Sequence, residues 1–309
     1  MCPKDIASAS SAGARLRNRH SRVAIEMTSS PNTAGIGLRL AHLSEMIATR
    51  PSCGWLEVHP ENFLANPHAA ELLIALSASY PISLHSVGLS IGSATGIDQK
   101  HLRRIAELAA RVDPVFISGH LAWSVYGNEY LNDLLPLPYE TESLEVVVRH
   151  VHQVQDVLQR PFLIENPASY VGFQSSTIPE AEFLAQVTGR TGCRLLCDIS
   201  NVVVSANNLG YDACEYIDSL PAAEISEMHL GGYTPEPDEA TAGAEVFIDT
   251  HAAPISQAAW DLYRYALGRI GPRPILIEWD NNLPPLTLLL AEAERAAEIR
   301  MEVGHAASY

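Results

Sequence analysis

The stretch RPFLIEN, Arg160 to Asn166, reads as a buried strand that stops on a carboxylate and an amide. Pro161, Phe162, Leu163 and Ile164 are apolar; Glu165 and Asn166 are not. An unpaired carboxylate is costly to bury, so a core strand that ends this way must supply Glu165 with a partner. The pattern recurs. GIGLR (35–39), GWLEVHPEN (54–62), PISLHSVG (81–88), PVFISGHLAWS (114–124), RPFLIENP (160–167), CRLLCDISN (193–201), EISEMHLGG (224–232) and RPILIEWDN (273–281) are all short apolar runs that close on polar residues. Between them lie amphipathic segments such as AAELLIALSASY, QKHLRRIAELAARV, ESLEVVVRHVHQVQDVL and IPEAEFLAQVTGR, which read as helices.

Eight strand-like runs alternating with helices over about 270 residues predict an α/β fold, a (β/α)8 TIM barrel with its site at the C-terminal mouth of the strands. A doubly wound sheet seldom needs eight such regular units. The barrel is expected to fill residues 35–300 as a single domain. A poorly ordered N-terminal tail (1–34) and a short C-terminal tail (301–309) would flank it. The segment after the seventh run, Gly231 to Ser256, is unusually long, as functional loops often are.

Barrel closure would bring the strand-ending residues His59, His85, His120, Glu165, Asp198, His229 and Glu278 to one mouth. Residues two apart on a strand face the same way. Six consecutive ends reading His, His, Glu, Asp, His and Glu exceed what a structural barrel requires. Clustered carboxylates repel one another unless cations neutralise them, and imidazole with carboxylate suits Fe, Zn or Mn. Asn201 stands three residues after Asp198, and Asp249 and His251 form a D-x-H pair in the seventh loop. The nine candidates His85, His120, Glu165, Asp198, Asn201, His229, Asp249, His251 and Glu278 outnumber the positions around one ion. Two or three ions bridged by Glu165 fit the set better. His59, Asn62, Asn166 and Asp280 are expected to support the ligands or meet substrate. His42, His68, His101, His150 and His152 fall in helices or loops and receive no role.

The rest of the sequence narrows the chemistry. Twenty basic against 36 acidic residues give a net charge of -16, which disfavours nucleic acid and anionic membranes as partners. No apolar run reaches membrane-spanning length, so a cytoplasmic protein is expected. Cys2, Cys53, Cys193, Cys197 and Cys214 form no C-x-x-C pair and read as thiols of the fold, not a disulfide framework. No nucleophile elbow, P-loop or dinucleotide fingerprint occurs. The Gly/Ser-rich HSVGLSIGSATG is read as lining a pocket.

The motifs SLHSVGLSIG, GHLAWS with LPLPY, IENPASY, DISNVVVSANN, EMHLGG, IDTHAAP and LIEWD, in order from about Gly35 to Leu290, resemble the multinuclear non-haem iron-dependent oxidases (MNIO), relatives of the methanobactin-biosynthesis enzyme MbnB. The resemblance implies a xylose-isomerase-like barrel holding two or three irons in mixed Fe(II)/Fe(III) states. It implies O2 as co-substrate and a ribosomally made, cysteine-containing precursor peptide as substrate, presented by a partner protein. It places one iron near His85, His120 and Glu165, a second at Glu165, Asp198, His229 and Glu278, and a third near Asn201, Asp249 and His251. Catalytic roles fall to Glu165, Asp198 and His251. Gly119 stands where many relatives carry an acidic residue. A homodimer is compatible with the sequence. The rival readings are a zinc or manganese phosphodiesterase or sugar isomerase of the same barrel superfamily, and a non-enzymatic metal-binding protein.

Overall fold

The computed structural model describes residues 34–306 apart from Asn128, Glu239 and Ala242. The predicted N-terminal tail up to residue 33 lies outside the described residues. Twelve strands and ten α-helices follow in chain order. They are β1 (Ala34–Gly37), α1 (Leu40–Thr49), β2 (Leu56–Val58), α2 (Pro60–Leu64), α3 (Pro67–Ser77), β3 (Ile82–Ser86), α4 (Gln99–Val112), β4 (Phe116–His120), β5 (Trp123–Tyr126) and β6 (Glu129–Leu135). Then come α5 (Thr141–Leu158), β7 (Leu163–Glu165), α6 (Glu180–Thr191), β8 (Arg194–Asp198), α7 (Ile199–Leu209), α8 (Ala213–Ser219), β9 (Ile225–Gly231), β10 (Thr234–Pro237), β11 (Glu245–Ile248), α9 (Gln257–Ile270), β12 (Ile275–Glu278) and α10 (Leu286–Ala306). The last helix runs past residue 300, where the sequence suggested a tail.

Eight of these strands close a barrel in the order β1-β12-β9-β8-β7-β4-β3-β2, every neighbouring pair parallel. They are the eight runs read from the sequence. The other four form two antiparallel hairpins, β5–β6 after β4 and β10–β11 after β9, both on the mouth side. Parallel strands covered on both faces are buried throughout, as the all-buried ISLHS of β3 shows. Outward side chains such as Ile36, Val58, Leu84, Ile117, Ile164 and Ile277 pack into the main apolar core against the helices. No helix among the described residues is long and apolar enough to cross a membrane.

The interior is a column of layers two residues apart, because strand side chains alternate. Its floor is apolar: Trp55, Phe116, Leu163, Leu196 and Leu276 pack together. Trp55 meets Phe116 edge-on, and a Cβ on Gly35 would stand 2.6 Å from the Trp55 ring, so only glycine fits there. Two residues further along those strands come Glu57, Ser118, Glu165, Asp198 and Glu278. The barrel thus changes from apolar to ionisable within one pleat.

Candidate metal centre

Register brings the donors to one level. His120 pairs with Glu165 across β4 and β7, and Asp198 pairs with His229 across β8 and β9. Asp198 also starts α7: its Oδ1 accepts the Asn201 N–H at 2.8 Å. A short polar side chain at that position satisfies an otherwise orphaned amide and leaves its second oxygen for other use. Glu165, Asp198, His229 and Glu278 are all buried.

His85 Nε2, His120 Nε2 and Glu165 Oε2 lie 3.3 Å from one another on all three sides. Three donor atoms at that spacing fit around one first-row ion coordinated at about 2.1 Å. Ser118 Oγ lies 2.8 Å from His85 Nδ1, which turns Nε2 toward the other donors. Burial, with His120 adding, holds His85 far below the usual histidine range. Burial lowers His120 to about 4. Both rings are therefore neutral, as a ligand must be.

Glu165 also groups with Asp198 and His229, and Asp198 groups with His251 and Glu278. Glu165 Oε2, Asp198 Oδ2 and Asn201 Oδ1 are buried without a hydrogen bond. Native proteins rarely leave several such atoms together, so a cation is the fitting partner. Burial raises Glu165 well above the carboxylate range despite His229, with Asp198 and Glu278 adding to the rise. Burial, with Asp249 adding, lifts Asp198 to about 6. For His229, burial favours the neutral ring, but Glu57, Glu227 and Glu278 outweigh it and raise the value far above 6.5. For His251, Asp249 and Glu278 outweigh burial in the same way. Glu278 is lowered although burial opposes it, because His251, His229 and His59 favour the carboxylate.

The seventh loop delivers His251 back to the mouth. Its backbone is left-handed at φ 44°, and its carbonyl accepts from the Asp280 and Asn281 amides at 2.8 and 3.0 Å. A Cβ on Gly231 would come within 2.5 Å of the His251 ring, and one on Gly232 would overlap the Ala253 carbonyl. The GG of EMHLGG therefore makes room for the loop. His251 Nε2 faces Asp249 Oδ1 at 2.9 Å, and Tyr170 Oη accepts the Asp249 amide at 3.0 Å.

The asparagines near the mouth make distinct contacts. Asn201 Nδ2 donates to Glu165 Oε1 at 3.3 Å and to the Asn166 carbonyl at 3.1 Å, which leaves its Oδ1 unpartnered. Asn166 grips the Asp198 backbone, accepting its N–H at 2.9 Å and donating to its carbonyl at 3.0 Å. Asn62 is exposed on the short α2 and its backbone N–H donates to the His59 carbonyl, so it does not join the cluster. His59 and Asp280 do join it: His59 Nε2 lies 3.3 Å from Glu278 Oε1, and Asp280 accepts from Arg39. Gly119 points out of the barrel, where a Cβ would stand 2.9 Å from the Ser86 carbonyl and 3.1 Å from Phe162. An acidic residue there would need the backbone to move.

Sequence reasoning missed Arg39, Glu57, Ser83, Ser118 and Glu227. Arg39 closes the first strand run, and its Nη2 donates to Glu278 at 2.8 Å. The other four each lie two residues before a histidine of the strand-end set, a position that alternation alone turns inward. Burial, with Glu57 adding, lifts Glu227 to about 8. The Gly/Ser-rich loop after β3 does line a cleft, of 880 Å³, which includes Gly88, Thr95, His101 and Tyr130. His101, given no role from sequence, contacts Glu61 there at 3.0 Å.

Known structures with this architecture include a D-tagatose 3-epimerase-like protein, at 16% identity and TM-score 0.59 over 87% of this chain and 98% of that one. A xylose isomerase-like TIM barrel from Mycobacterium smegmatis in complex with magnesium aligns at 13% identity and TM-score 0.56 over 85% and 87%. The fold is thus that of the xylose-isomerase-like TIM barrels. Within that class, the chain matches the family described as RiPP precursor modification enzyme MbnB/TglH/ChrH over residues 33–301, and it belongs to that family. A UPF0276 protein of Vibrio parahaemolyticus is 48% identical over 271 residues, 87% of this chain and 93% of the relative. One of Caulobacter vibrioides is 43% identical over 269 residues, 86% and 94%.

Proposed function

We propose that the protein is an iron- and O2-dependent oxidase that modifies cysteine residues of a ribosomally synthesised precursor peptide. The observation that carries this reading is the double membership of Glu165, which stands in one donor group with His85 and His120 and in another with Asp198 and His229. A carboxylate shared between adjacent donor groups suits two ions close together, and the imidazole–carboxylate mixture suits iron. His85, His120 and Glu165 would hold one ion, and Glu165, Asp198 and His229 a second. Asp198, His251 and Glu278 offer a third place. When bound, the irons would supply O2 activation and a Lewis-acid site for a cysteine thiolate.

The chain's own contribution is order and dryness. Ser118 fixes His85, Asn201 holds one oxygen of Glu165 so that the other faces the two histidines, and Asn166 locks the Asp198 backbone. The apolar floor excludes water from below, so the mouth is the way in for peptide and O2. The cleft between the loop after β3 and the β5–β6 hairpin, lined by Gly88, Thr95, His101 and Tyr130, offers an extended peptide room. A partner protein that presents the peptide, and a homodimer, belong to the same proposal, as does a cytoplasmic location.

The test is anaerobic purification followed by metal analysis and Mössbauer spectroscopy, with co-expression of a cysteine-bearing precursor peptide read by mass. Two or more irons per chain and an oxidative mass change are expected. Zinc or manganese alone, with no peptide change on adding ferrous ion, would overturn the reading in favour of a hydrolase or isomerase. Glu165→Gln is expected to remove more than one ion per chain; loss of a single ion would contradict sharing.

A further inference from the structure

Beside the donor groups already described, Glu57, Glu227 and His229 form another buried group close enough to hold an ion, and none of the roles above uses its two carboxylates. Glu57 on β2 and Glu227 on β9 are both fully buried, and each places Oε1 3.3 Å from His229 Nε2. The two strands are not neighbours in the barrel order, so the carboxylates reach the same imidazole nitrogen across the interior. Glu57 is itself held: Ser83 Oγ, buried on β3 at the paired register position, donates to its Oε2 at 2.9 Å. The other nitrogen of the ring, Nδ1, lies 3.2 Å from Glu278 Oε2. Nδ1 is thus on the side of the donor groups, and Nε2 is on the side of Glu57 and Glu227.

We propose that Glu57 and Glu227 are positioning residues, Glu227 by accepting from His229 Nε2–H and Glu57 by the charge it places 3.3 Å from the same nitrogen, so that His229 meets a metal ion through Nδ1. This rests on the reading of His229 as a ligand. The physical reason is the division of labour within an imidazole: the nitrogen that donates to a carboxylate is protonated, which leaves the other one its lone pair. The centre then contains two kinds of histidine. His85 has its Nδ1 occupied by Ser118 and presents Nε2, whereas His229 has its Nε2 occupied and presents Nδ1. Carboxylates hydrogen-bonded to a metal-ligating histidine also make it a stronger donor. Alternation places Glu227 two residues before the histidine it holds, so one strand supplies both ligand and support.

The decisive measurement is long-range 1H–15N NMR on the full chain loaded with zinc, a diamagnetic probe that takes the same donor types. The expected spectrum shows His229 protonated at Nε2 and metal-shifted at Nδ1, with His85 metal-shifted at Nε2. A metal shift at His229 Nε2 would overturn the proposal while leaving His229 a ligand. If His85 shifts and His229 does not, or if no histidine shifts, the ligand reading fails and the proposal falls with it. As a second measurement, Glu57→Gln and Glu227→Gln are each expected to weaken zinc binding by about 10- to 100-fold in competition with a chelator. The far-ultraviolet circular dichroism should stay that of the parent. Affinities within twofold of the parent in both variants would overturn the positioning role. Should either variant fail to fold, the spectrum of the unaltered protein still decides.

Discussion

Two triads in this barrel share one spacing and differ in charge. His85, His120 and Glu165 stand 3.3 Å apart, and Glu57 and Glu227 stand 3.3 Å from His229. The first triad has two imidazoles to one carboxylate, and its two rings are held neutral. The second has two carboxylates to one imidazole, and they push the ring's pKa well above the usual histidine value although burial opposes it. Both triads leave buried carboxylate oxygens without a hydrogen bond, Glu165 Oε2 in the first and Glu57 Oε1 and Glu227 Oε2 in the second, but only the second has more carboxylates than imidazoles. Both are groups that could hold an ion, so equal distances leave composition as the difference between them.

The largest effect should come from removing the shared imidazole of the second triad. His229→Leu leaves Glu57, Glu227 and Glu278 buried without their imidazole, and breaking a buried pair costs about 3–5 kcal/mol. Urea denaturation of the metal-free protein would measure it. His120→Leu in the first triad breaks no such compensation. It should change metal-free stability by less than about 1 kcal/mol while removing one ion per chain, and a loss like that of His229→Leu would erase the contrast. Gly231→Ala sharpens the comparison from the loop side. Its Cβ would press on the His251 ring, an overpacking worth about 1–3 kcal/mol, and should displace that ring from Asp198 and Glu278. The check is metal stoichiometry with thermal melting.

The pH dependence has a definite sign. Glu165, Glu227 (to about 8), His229 and His251 are all raised in the fold. A raised group favours the fold below its unfolded value, and that contribution is lost as pH climbs through the folded one. The metal-free protein should therefore lose stability as pH rises from about 4.3, where Glu227 ionises in the unfolded chain, to about 8, where it ionises in the fold. The lowered pair His85 and His120 acts the other way, and only as pH falls below about 6.5. Metal binding should strengthen over the alkaline range, because cations replace the protons on the carboxylates. Melting curves with and without metal at several pH values test both. Asn166→Ala, which removes two hydrogen bonds to the Asp198 backbone at about 1 kcal/mol each, should lower the urea midpoint by less than His229→Leu does.

Most of the barrel could be read from the chain because each strand runs buried on both faces and ends on a polar residue. Those two signals are local. The strand-ending donors could be read for the same reason, and Glu165 was visible from RPFLIEN alone. What lay beyond local pattern were the partners across the barrel. Arg39 reaches Glu278 over 239 positions, and Glu57 reaches His229 across strands that are not adjacent. Asn201 stands on the first turn of α7 with its Nδ2 toward Glu165, a direction that spacing in sequence does not fix.

By itself the sequence determined which residues are ionisable at strand ends, since burial and period-two alternation are properties of each strand alone. Only the tertiary structure decided which of them meet, which nitrogen of each histidine faces which carboxylate, and which imidazoles are neutral. Those depend on closure and register, which set distances of a few ångströms between residues far apart in the chain. At such distances in a buried interior, the sign of a neighbour's charge outweighs a group's own chemistry.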